Sequence, residues 1–227
     1  MNTAERFSGR IAVFYGDSIT YGAYTGENDT CPASRAEKRW CDMVSERLGF
    51  SEMTDYSESG ISVSATSPVR PEAAVSACFD RMRPDADVIF IAAGTNDFGT
   101  GVKPGKPDDN SDVSFTGAVR KLCRGLKEKY PHGDIVFVLP IDRYDREGEH
   151  GYPLSLYRDI LRKIAGEEYR FTVIDGGRFG INASDPDFVT KHMKDGVHPD
   201  PVGQRIYADG VIAALTSDKQ HRTVYDK

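Results

Sequence analysis

The chain has 227 residues, of which 39% are hydrophobic and 28% charged, and its formal net charge is -6. That length and balance suit one globular domain with a full core. Net acidity without a basic stripe interleaved with aromatics argues against nucleic acid as a partner. No apolar run approaches the roughly 20 residues needed to cross a bilayer.

Residues 1–10 are polar and contain no apolar leader core. Cys31, Cys41, Cys78 and Cys123 form no C-x-x-C pair. Three of them, Cys41, Cys78 and Cys123, fall in expected helices, where a buried thiol is the default. A Cys31–Cys41 bridge is the alternative. A reducing, cytoplasmic setting is expected.

Strand and helix patterns alternate from end to end, with no repeat. This predicts one domain, residues 1–227, built on a mainly parallel sheet with helices on both faces. The first strand, about 10–15, ends in Gly16-Asp17-Ser18-Ile19-Thr20. A polar loop over 21–32 follows and is expected to rim the site. Ser34 with Glu37 three residues on has the pattern of a capping box, so a helix is expected from there to Gly49. Its Trp40, Val44 and Leu48 share one stripe.

A weak strand over 52–56 leads into the loop Ser57 to Ser62. A helix beginning near Pro68 or Pro71 runs to about Arg81. Asp87 to Ala93 is the strongest strand, and its unbroken apolar run places it centrally. It ends in Gly94-Thr95-Asn96-Asp97. The Gly- and Pro-rich loop 98–112 has the length of a lid or substrate-contacting segment. A helix capped by Ser114 reaches Tyr130. Strand 134–140, helix 153–167 and strand 171–175 follow. Residues 176–196 read as irregular, a last helix spans 200–216, and the polar tail 217–227 is expected to fray.

In a parallel sheet all strand ends point one way, so the polar segments after them converge on one edge. A serine hydroxyl there needs a base to become a nucleophile. His198, with a free imidazole pKa of about 6.5, is proton-accepting at pH 7. Asp195 lies three residues before it and can reach back to fix its tautomer, because Gly196 permits a tight turn. Ser18, Asp195 and His198 thus have the roles of a nucleophile, acid and base. The backbone N–H groups of Ser18 and Gly60 and the Asn96 amide are candidate donors to an oxyanion. Asp17 and Asp97, beside the same segments, are candidate substrate contacts. His192 and His198 with Asp195 could instead be read as metal ligands, without a supporting cluster. His132 and His150 lie in polar loops, and His221 lies in the tail.

Three segments together resemble the blocks of the SGNH, or GDSL-type, hydrolase family: Gly16-Asp17-Ser18-Ile19-Thr20, Gly94-Thr95-Asn96-Asp97 and Asp195-Gly196-Val197-His198-Pro199. The second block is less similar. Relatives often read Asn-x-Gly/Ala-x-Ser-Gly, whereas Asp55-Tyr56-Ser57-Glu58-Ser59-Gly60 keeps the final Ser-Gly. Gly60 matches, and a shifted alignment would put Val63 there. No G-x-S-x-G elbow is present.

The resemblance implies a flavodoxin-like three-layer α/β/α sandwich with a five-stranded sheet. It also implies a serine ester hydrolase that needs no metal or cofactor and acts on a small-molecule ester. The polar loops 21–33, 98–113 and 142–152 favour a short acyl group on a polar, sugar-like alcohol. The rivals are a lipase or thioesterase for longer chains, a non-catalytic binding module on the same fold, and a phosphate binder. The last is disfavoured because Asp17 would repel an anion and no Gly-rich cradle is present.

Overall fold

Five strands pair into one parallel sheet in the computed structural model, which describes residues 6–217 except Arg146 and Glu149. His221 and the tail beyond Ser217 lie outside the described residues. In chain order the elements are β1 (Ile11–Gly16), α1 (Ser18–Tyr21), β2 (Ala23–Tyr24), β3 (Ser34–Arg35), α2 (Trp40–Leu48), β4 (Glu52–Asp55), α3 (Val75–Cys78), β5 (Val88–Ala92) and α4 (Thr95–Gly99). They continue with α5 (Phe115–Lys129), β6 (Asp134–Val138), α6 (Leu154–Leu161), β7 (Thr172–Ile174), α7 (Pro186–His192) and α8 (Pro201–Thr216).

The sheet order is β4-β1-β5-β6-β7, with every pair parallel. Numbered by their order in the sheet-forming chain, the strands run 2-1-3-4-5, the flavodoxin-like order. The chain moves outward from β1 to β4 and then returns past β1 to β5. The two crossovers therefore leave on opposite sides, and a crevice opens beyond the ends of β1 and β5. Gly16 and Ala92 are register partners at that point. A Cβ at Gly16 would lie 2.7 Å from the Ala92 carbonyl oxygen, so only glycine allows this approach.

Alternate strand residues feed two cores, as a pleated strand with both faces covered requires. Val13, Ile89, Ile91 and Phe137 pack with α5 and α6. Phe14, Phe90, Val136 and Ile174 pack with α2 and α8. Phe14 stacks on Phe90 at 4.5 Å between ring centroids, and Trp40 stacks on Tyr207 at 4.7 Å. Cys41, Cys78 and Cys123 are buried in α2, α3 and α5, while Cys31 is exposed, and all four are free thiols. Among the described residues no helix is long and apolar enough to cross a membrane.

Three expected elements differ. Ser34 does not cap a helix: its backbone pairs with Tyr24 and its hydroxyl donates to Asp29. The cap of α2 is Arg39, whose backbone N–H and guanidinium donate to Asp42. The expected 71–81 helix is broken into short turns, because Val75 and Ser76 donate their N–H groups to the carbonyls of Ser62 and Val63. Within 176–196, α7 forms behind an Asp185 cap with Pro186 in its first turn. The 98–113 loop is fastened down, since Phe115 N and Thr116 N donate to the carbonyls of Lys103 and Pro104. The Tyr157 hydroxyl donates to the Val102 carbonyl.

Gln204, fully buried in α8, joins this scaffold to α1. Its amide donates to the Ile19 carbonyl at 2.9 Å and accepts from Trp40 N at 3.0 Å. Gln204→Leu would leave the Trp40 N–H buried and unpaired, at about 1–3 kcal/mol, and leave the Ile19 carbonyl with the Gly22 N–H as its donor. The urea midpoint is expected to fall correspondingly with an unchanged slope. An unchanged midpoint would show that these bonds contribute nothing to stability.

Candidate active site

Ser18 opens α1, two residues past the Gly16–Ala92 closure. Asp17 caps that helix through its side chain, which accepts from Ile19 N at 3.0 Å. The turn ends at Gly22 in the left-handed region, with φ of 88°. Ser18 is thus held by a one-turn helix whose two ends are both fixed.

His198 reaches it from the loop before α8. Ser18 Oγ lies 2.8 Å from His198 Nε2, and His198 Nδ1 lies 2.8 Å from Asp195 Oδ2. Asp195 Oδ1 accepts from the N–H groups of Val197 and His198. Burial alone would raise the Asp195 carboxyl. The hydrogen bonds from the His198 ring and from those backbone groups outweigh it and hold the carboxyl well below its usual range. An ionised Asp195 puts the ring proton on Nδ1 and leaves Nε2 to accept from Ser18. Gly196, with φ of 71°, makes the turn possible, and the Tyr144 ring packs where its Cβ would be. Asp200 then caps α8 and also meets His192 Nδ1 at 3.1 Å, so His192 and His198 bond different carboxylates.

Two oxyanion candidates, Asn96 in α4 and Gly60 in the loop after β4, sit on segments that are bonded to each other. Asn96 Nδ2 donates to the Ile61 carbonyl at 2.7 Å, beside Gly60. Gly60 has φ of 81°, which favours glycine. The Val63 N–H, the alternative donor, is spent on Asp97 at 2.7 Å, and Ser64 N donates to the same carboxylate at 2.9 Å. Further back, Asp55 accepts from Ser57 N at 2.8 Å and pairs with Arg39. This bond ties the start of the second block to α2.

Asp17 and Asp97, the expected substrate contacts, are both buried. Asp17 is 3% exposed and Asp97 is 0% exposed, and each carboxylate is turned onto backbone N–H groups. Sequence reading also missed Thr25, whose hydroxyl donates to Asp195 Oδ2 at 2.8 Å. Arg143 was missed as well. It pairs with Asp145 and donates to the Thr95 carbonyl at 3.0 Å. No motif marks either residue, since both contacts are made across the fold.

Burial pushes Asp97 up to about 7, against the pull of the Ser64 and Val63 N–H groups and with the Asp17 charge adding to the rise. Burial likewise pushes Asp17 up to about 6, opposed by the Ile19 N–H and by His198. Both folded values lie above the unfolded value of about 4. Between about pH 4 and 7 the native state therefore holds protons that the unfolded chain has released, and stability falls as pH rises through that window. The thermal midpoint is expected to drop between pH 5.5 and 8, and to drop less in Asp97→Asn. Equal slopes in the two proteins would contradict the buried, proton-holding carboxyl.

The family model of the GDSL-like lipase/acylhydrolase family matches residues 14–206. No curated protein matches the chain by sequence. Similar solved structures include a Lactobacillus plantarum protein, 20% identical, with a TM-score of 0.78 and 92% of this chain and 97% of that one covered. A Bacteroides ovatus protein described as a GDSL-like lipase is 18% identical, with a TM-score of 0.64 and coverage of 90% and 97%. Axe2, an acetylxylan esterase from Geobacillus stearothermophilus, is 18% identical, with a TM-score of 0.61 and coverage of 93% and 96%. At these identities the structures share the fold. The family match, which extends from β1 into α8, says more: the chain belongs to the GDSL-like lipase/acylhydrolase family and is an ester hydrolase by class.

Proposed function

We propose that the chain is a serine ester hydrolase that removes a short acyl group from a polar, sugar-like alcohol and needs no metal. The observation that carries the mechanism is the unbroken hydrogen-bond chain from Ser18 through His198 to Asp195, with both links at 2.8 Å. His198 Nε2 takes the Ser18 proton as Oγ attacks the ester carbonyl. Asp195 holds the ring in place and stabilises the imidazolium that forms. The tetrahedral oxyanion is met by the N–H groups of Ser18 and Gly60 and by the second N–H of the Asn96 amide. His198 then gives its proton to the leaving alcohol, and an acyl-Ser18 remains. Water, deprotonated by the same nitrogen, attacks the acyl carbon, and the acid leaves as Oγ recovers its proton.

The short acyl group is inferred from the polar loops around the site and from the likeness to Axe2, an acetylxylan esterase. A Ser18 and His198 too far apart to bond would favour the binding-module reading, and their 2.8 Å contact gives it no such support.

Hydrolysis of p-nitrophenyl acetate, butyrate and octanoate with EDTA present tests both parts. Acetate is expected to turn over fastest, and Ser18→Ala to lose at least about 10³-fold in kcat. Faster octanoate hydrolysis would overturn the short acyl pocket, activity lost to EDTA would overturn metal independence, and activity kept in Ser18→Ala would overturn the nucleophile. Asn96→Ala is expected to lower kcat by about 10²–10³-fold with little change in KM, as for one oxyanion donor. A change confined to KM would assign Asn96 to ground-state binding instead.

A further inference from the structure

Asp195 Oδ2 carries two hydrogen bonds. One comes from His198 Nδ1 and the other from the Thr25 hydroxyl, each at 2.8 Å. Thr25 lies 170 residues before Asp195 and reaches it from the β2–β3 hairpin. That hairpin is built for a fixed position. Gly22 caps α1 and turns the chain into β2, and Ala36 N donates back to the Gly22 carbonyl at 2.8 Å. The Asp29 carboxylate closes the hairpin by accepting from Gly26 N at 2.9 Å and from the Ser34 hydroxyl at 2.7 Å. A Cβ on Gly26 would lie 2.7 Å from that carboxylate, so a side chain there would displace the Asp29 contact. From the other side Lys194, the neighbour of Asp195, donates to the Gly26 carbonyl at 3.2 Å. Two bonds from adjacent residues thus join the hairpin to the acid's loop.

We propose that Thr25 is a positioning residue for Asp195, its hydroxyl holding Oδ2 in place and drawing charge from the oxygen that faces the His198 ring. This rests on the ester-hydrolase reading of the site. Oδ1 is fixed by two backbone N–H groups. Without Thr25, among the described residues only the ring orients Oδ2, and the carboxylate side chain is 22% exposed. Water would then compete for that oxygen. A hydrogen bond from a neutral donor to a carboxylate favours the charged carboxylate and delocalises its charge. Its removal concentrates charge opposite Nδ1 and makes the ring hold a proton more firmly. The other charges around the pair are Asp17, which interacts with His198, and Arg143, which interacts with Asp17. Lys194 lies beside the hairpin, and the His192–Asp200 pair follows in the same loop. None of these is altered by a change at position 25.

The test compares Thr25→Val and Thr25→Ser with the wild-type chain. In Thr25→Val kcat for p-nitrophenyl acetate is expected to fall about tenfold at little change in KM. The lower limb of the kcat/KM profile is expected to move up by about half to one pH unit, and Thr25→Ser to restore both. NMR titration of the His198 ring is expected to show the same upward move in Thr25→Val and its reversal in Thr25→Ser, whether or not the ester chosen is a good substrate. A ring that titrates identically in all three proteins would overturn the proposal, as would a kcat loss without a shifted limb. A wild-type chain that hydrolyses no ester, yet whose ring moves in Thr25→Val, would refute the assigned reaction and leave the role of Thr25 standing.

Discussion

The pairing of β1 with β5 through a glycine is the constraint on which the rest of the molecule depends. Gly16 sits opposite Ala92, and no side chain at position 16 fits against the Ala92 carbonyl and Thr20. That contact brings the ends of the two strands together where the crossovers part. Ser18 then follows one strand and Asn96 the other, so the proposed nucleophile and one proposed oxyanion donor arrive side by side from opposite halves of the sheet. The third participant comes from the far end of the chain. Asp200 and Pro201 start α8, and the ring of His198 is set just before that start. Gln204, one turn later, binds α8 to α1 and α2.

The buried carboxylates around this edge act on backbone more than on solvent. Asp97 ties the Val63–Ser64 backbone to α4, Asp17 caps α1, and Asp55 draws Ser57 towards Arg39. The loop that carries Gly60 and the helix α4 that carries Asn96 are thereby fixed before any substrate arrives. Such preorganisation is what makes a donor worth more in a transition state than in water. It has a cost. Two carboxyls are removed from solvent within interaction range of each other, and burial works against the ionised form of both.

Much of the architecture was legible because a parallel sheet demands unbroken apolar runs. Asp87 to Ala93 reads as a central strand for that reason, and β5 is central. The segments that meet at the edge were legible too, since strand ends in such a sheet converge. What escaped was whatever depends on contact across the fold. Ser34 and Glu37 have the spacing of a capping box, yet the Ser34 hydroxyl is taken by Asp29 and its backbone by Tyr24. Asp17 and Asp97 stand beside the site in sequence, but nothing local shows that their carboxylates turn inward. Thr25 looks like one more polar loop residue, because its partner is 170 positions away. The Asp185-Pro186 start of α7 was a readable signal that the polar surroundings obscured.

The most direct test of the proposed chemistry is to treat the full chain with a fluorophosphonate and read the intact mass and the labelled peptide. One phosphonyl group per chain is expected, on the peptide carrying Ser18, with far slower labelling in His198→Gln. Labelling at another residue, or ester hydrolysis that persists in the fully labelled protein, would contradict it.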